Sequence, residues 1–104
     1  MSGFLESGDP HGEAEVLIEL GTIEAETTGP RTALPMFTRA VDIFRKVGSP
    51  LDEARAREGT ARCLAPLDDR DAALAELEEA VRIYRRVGAA RTGAAEAFLG
   101  ELRV

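Results

Sequence analysis

Residues 40–48 read AVDIFRKVG and residues 80–88 read AVRIYRRVG. Six of the nine positions are identical, Phe44 becomes Tyr84, Lys46 becomes Arg86, and the offset is 40 residues. The register holds outward from this stretch: Ala33, Leu34, Phe37, Ala40, Val41, Phe44 and Val47 align with Ala73, Leu74, Leu77, Ala80, Val81, Tyr84 and Val87. Steps of three and four gather these residues on one face of a helix. Gly48 and Gly88 close the two copies at the position where a helix needs a residue free to turn left-handed.

Phe4 and Gly8 stand 40 residues before Phe44 and Gly48, so residues 1–8 read as the last turns of an earlier copy. Asp9-Pro10 and Ser49-Pro50 are matched pairs of N-cap and first-turn proline, and Ser49 with Asp52 has capping-box spacing. The third copy offers Ala89-Ala90 there, a poor cap. Breaks at Thr28-Gly29-Pro30 and at Pro66-Leu67-Asp68-Asp69 separate a further helix from each quoted one. The expected elements are five helices, at 10–27, 30–47, 50–66, 69–87 and 90–103. Pro35 is tolerated if the second helix starts near Thr32, and otherwise kinks it.

Two helices per repeat at this period mark an α-solenoid, because an amphipathic helix pair covers its apolar face only by stacking on the next pair. Leu17, Leu20 and Gly21, followed by Ala33, Phe37 and Ala40, resemble the tetratricopeptide (TPR) pattern, and Ala61, Leu64, Ala73, Leu77 and Ala80 continue it. Arg57 and Thr60 depart from it where large apolar residues belong. The resemblance spans nearly the whole chain. Its 40-residue period is similar to the long-form repeats of large bacterial signalling ATPases and antibiotic-pathway transcription activators. It implies an all-α fold, a short right-handed TPR-like solenoid of two full repeats plus an extra helix. The single domain, 1–104, then divides into a remnant (1–8), two repeats (9–48 and 49–88) and a terminal half repeat (89–104).

Composition narrows the functional classes. The chain has 44% hydrophobic residues, no tryptophan, and only four Phe and one Tyr, so alanine and aliphatic side chains must build the core. Arginine and alanine dominate and Lys46 is the one lysine, a bias expected of a high-GC bacterial gene. Apolar runs fall far short of the ~18 residues needed to span a bilayer, and no secretion signal opens the chain. A lone cysteine, Cys63, suits a reducing cytoplasm. The net charge is −6. Residues 1–30 hold seven acids and no base, so nothing resembles the clustered basic excess of a nucleic-acid binder.

Reactive chemistry has little to stand on. His11 sits at a helix start and reads as an exposed first-turn residue; Cys63, aligned with Ile23, reads as a small buried hydrophobe. Asp68-Asp69-Arg70-Asp71 lacks the alternating ligands and mid-loop glycine of a calcium loop and reads as a capped polar turn. Phosphate-binding glycine loops and His/Cys metal spacings do not occur, and neither catalysis, cofactor nor metal is expected.

What remains is a surface. The TPR resemblance implies that the first helix of each repeat lines a concave groove. Its positions here are Glu15, Ile18, Thr22 and Glu26, then Arg55, Glu58 and Arg62, then Ala95, Leu99 and Leu102, with Glu15 facing Arg55. The expected function is therefore non-catalytic protein–protein interaction. The chain would serve as an adaptor or regulatory segment of a larger cytoplasmic bacterial signalling or transcription-regulatory protein, with a protein or peptide as partner. The alternative is self-association. The last helix is apolar nearly all round, and Phe98, Leu99 and Leu102 would form the interface of a homodimer.

Overall fold

The computed structural model describes residues 9–104; the repeat remnant expected at residues 1–8 lies outside them. Five α-helices account for the described residues, with no strand among them: α1 (Pro10–Thr27), α2 (Pro30–Val47), α3 (Pro50–Leu64), α4 (Arg70–Val87) and α5 (Thr92–Arg103), with a 3-10 turn at Ala65–Leu67. The short connections fold each helix back onto its predecessor, and α1 also touches α3.

Local chemistry sets the ends. Asp9 Oδ1 accepts from the Gly12 amide at 3.1 Å and caps α1. The capping box expected at Ser49 does not form: its hydroxyl donates to Asp52 Oδ2 at 2.7 Å, leaving no side-chain cap on α3. The anionic Asp52 is a strong acceptor and draws the Ser49 hydroxyl into a charge-assisted hydrogen bond. Gly48 (φ 73°) and Gly88 (φ 68°) both turn left-handed. The next amides, Ser49 and Ala89, reach back to the Phe44 and Tyr84 carbonyls, satisfying acceptors that the helix leaves open. α3 ends two residues before the expected 66, because Pro66 has no N–H to extend the ladder. α5 begins at Thr92, two residues late, and without a side-chain cap. α2 runs unbroken through Pro35, which sits early enough that the carbonyl losing its donor belongs to the exposed first-turn residue Arg31.

Helix packing follows the repeat. Ala33 and Ala73, Ala40 and Ala80, and Ala14 and Ala54 are all fully buried, letting backbones approach closely. Phe37 and Leu77, Val41 and Val81, and Phe44 and Tyr84 fill the space between them, in two clusters centred on α2 and on α4. Arg57, the departure from the apolar pattern, lies low against α3. It donates to Glu53 at 2.8 Å and to Glu76 of α4 at 2.9 Å, its stem covering what an apolar residue would have covered.

One contact depends on missing side chains. The Phe37 ring lies between Gly21 of α1 and Gly59 of α3. A Cβ on Gly59 would come within 2.4 Å of two ring carbons, and one on Gly21 within 3.0 Å. Gly59→Ala gains about 0.5–1 kcal/mol in helix propensity and loses about 1–3 kcal/mol to overpacking. The overpacking wins, and we expect the melting temperature to fall by several degrees in a calorimetric scan. A Gly59→Ala protein that melts above the parent would refute this packing.

Candidate interaction groove

The same ring lines a groove of about 730 Å³ between α1 and α3. Ile18, Thr22 and Glu26 of α1 form one wall, and Arg55, Glu58 and Arg62 of α3 the other. The link from α4 to α5, Ala89–Arg91, closes the end. Helical spacing explains the walls: residues four and seven apart on one helix share a face.

Six of the seven residues expected from α1 and α3 meet in this groove. Glu15 does not line it, and the Glu15–Arg55 pair does not form. Arg55 donates instead to Asp52, one turn back on its own helix, at 2.9 Å. α5, the first helix of the terminal half repeat, is also placed differently. Ala95 and Leu99 are buried against α4, and neither they nor Leu102 lines the groove. Burying these two side chains is worth more than presenting them to water, and α5 has no side-chain cap to hold it at the expected start. Leu99, expected at a dimer interface, is therefore a core residue, only 5% exposed. Phe98 is half-buried beneath the Arg62 guanidinium, 4.3 Å from the ring centre, and Leu102 is half-buried.

Glu58 organises the basic wall. It is 4% exposed, accepts the Tyr84 hydroxyl at 2.9 Å and Arg62 Nη2 at 3.0 Å, and is gripped by Arg91 through Nε at 3.0 Å and through Nη2. Burial opposes its ionisation, but the hydrogen bonds from Arg91, Arg62 and Tyr84 outweigh it and hold the carboxyl below its usual range. Burial, with the neighbouring carboxylate, pushes the Tyr84 phenol up. Two arginines thus share one carboxylate, leaving this wall with a net positive charge.

Sequence reasoning missed Tyr84 and Arg91 here, although one signal was available. In the first repeat Ile18 and Phe44 share an apolar cluster. In the second, the same two positions carry Glu58 and Tyr84: a carboxylate and a hydroxyl arrive together.

His11 has partners that its sequence position concealed. Its Nε2 lies 3.0 Å from Asp52 Oδ2 and its Nδ1 3.8 Å from Glu15, with the ring edge-on to Phe44. The two carboxylates face diverging ring nitrogens, an arrangement for bridging α1 to α3. His11, Glu15 and Asp52 each offer one ligand atom within 4.8 Å of the other two, a grouping that exposed acidic residues commonly make without an ion. Burial raises Asp52, but hydrogen bonds from Ser49, His11 and Arg55 bring it below its usual value. Cys63 is buried, and burial pushes its thiol up, away from a nucleophilic thiolate. No helix among the described residues is long and apolar enough to cross a membrane.

Comparison with family models, curated proteins and solved structures finds no match.

Proposed function

We propose that this chain is a non-catalytic protein-interaction module, a short right-handed TPR-like solenoid that takes a peptide segment of its partner in the groove between α1 and α3. The observation that carries this reading is the groove itself: the Phe37 ring and Ile18 supply an apolar surface facing Arg55 and Arg62, with Arg91 at the end and only Glu58 set among the three arginines. Such a surface offers an apolar anchor and directional donors together, the combination that gives peptide sites both affinity and register. The 40-residue period supports a place within a larger bacterial signalling or transcription-regulatory protein, as an adaptor or regulatory segment. Self-association through α5 has less support, since Leu99 lies in the core and Phe98 lies under Arg62.

A random peptide library displayed on phage and selected on the immobilised chain tests the groove. Selected peptides should lose about tenfold or more in affinity to a variant carrying Arg55→Glu and Arg62→Gln, with the loss shrinking as salt rises. Thr22→Trp, an exposed wall position, should block them without touching the charges. Peptides that bind both variants as they bind the parent would remove the groove as the site.

A further inference from the structure

The repeat provides an internal standard for which surfaces are covered. On α3, Ala56, Thr60 and Cys63 form a stripe at steps of four and three that is at most 2% exposed. Ala56 and Cys63 belong to the cluster that α2 builds. The equivalent stripe on α1, 40 residues earlier, is Val16, Leu20 and Ile23. It is more apolar than its counterpart, yet Leu20 is 45% and Ile23 54% exposed. A position that is buried when occupied by threonine and cysteine stands open when occupied by leucine and isoleucine.

The frame around the stripe is acidic. At 100° per residue, Glu19 flanks it on one side and Glu13 and Glu24 on the other. Residues 9–28 carry no lysine or arginine, and among the described residues only Glu13 meets an arginine. The counterpart of Glu19 on α3 is Gly59, where the Phe37 ring lies. A helix seated on α1 therefore cannot place an aromatic ring there, and a small residue fits.

We propose that the outer face of α1 docks an amphipathic helix of another protein, seated as α2 is seated on α3, with lysine or arginine along its flanks and a small residue opposite Glu19. Val16, Leu20 and Ile23 supply the apolar contact and the glutamates select the charge. This surface is separate from the groove, and neither proposal depends on the other.

The probe is a synthetic, fluorescein-labelled peptide of residues 30–47 with Phe37→Ala. It carries four basic residues and one acid. Removing the ring clears Glu19 and also removes the peptide's hold on Gly59, so it does not compete with the chain's own α2. Fluorescence anisotropy against the full chain should show saturable binding, weakened at least about tenfold by Leu20→Asp with Ile23→Asp and by raising salt. Glu19→Lys with Glu24→Lys, which leaves the apolar residues in place, should weaken it as well. Circular dichroism of both variants checks that the helices are intact. Absence of saturation at millimolar chain, or binding by both variants equal to that of the parent, overturns the proposal. Sedimentation of the chain alone tests a second copy as the occupant: a dimer abolished by Leu20→Asp with Ile23→Asp would assign this face to that copy and overturn the basic partner.

Discussion

Ala80→Glu should unfold this protein or lower its melting temperature by more than about 15 °C, taking about 4–8 °C per kcal/mol for a domain of this size. Ala80 is fully buried, and its cluster contains Ala54, Ala61, Leu77, Val81 and Leu99 with no basic residue among the buried members. The new carboxylate would be forced into a space sized for a methyl group, with no partner for its charge, a cost of several kcal/mol against a total stability of about 5–15 kcal/mol. Ala40→Glu, at the equivalent site in the first repeat, should do the same. Ala75→Glu, on the exposed side of α4, should change stability by no more than about 0.5 kcal/mol. Thermal melts of the three variants test the register directly: an Ala80→Glu protein melting with the parent contradicts it.

Replacing Glu58 should have the next largest effect. Glu58→Ala leaves the Tyr84 hydroxyl buried without an acceptor, at about 1–3 kcal/mol, while Arg62 and Arg91, each about half exposed, recover their hydration and add little. A loss near 2 kcal/mol is expected in urea unfolding at neutral pH. Glu58→Gln keeps an acceptor for Tyr84 and should lose less. The effect has a pH signature. The folded protein holds the Glu58 carboxyl below its usual value of 4.5, so its ionised form favours folding. That contribution is complete above the unfolded value and disappears as pH falls from there through the lower folded value. The parent should lose stability across that acidic window more steeply than either variant. Equal slopes for parent and Glu58→Gln would mean that the arginine grip does not stabilise the fold.

Helix content and the positions of most helix ends were legible from the chain alone, because they depend on interactions within a few residues. Pro10, Pro30 and Pro50 open α1, α2 and α3, and Gly48 and Gly88 close α2 and α4 where expected. The 40-residue repeat likewise marked the alanines and rings that pack, since burial at Ala40 implies burial at Ala80 once the two helices occupy equivalent places. Helical spacing also set Ile18, Thr22 and Glu26 on one face and Arg55, Glu58 and Arg62 on another, and these six line the concavity between α1 and α3.

What tertiary structure alone decided was pairing and orientation. Ser49 and Asp52 had the spacing of a capping box, but Asp52 drew hydrogen bonds from Ser49, His11 and Arg55 together, and His11 is 41 residues away. Arg55 chose that carboxylate over Glu15 because a partner one turn away on its own helix is already in reach. Glu58 looked like a solvated groove charge until Tyr84 and Arg91, distant in sequence, closed over it. The turn of α5 that buries Ala95 and Leu99 depends on which surface α4 presents, and no local pattern records that. Short-range hydrogen bonding and periodicity are written into neighbouring residues, whereas a charge takes its partner from whichever donor or acceptor the packed helices bring nearest.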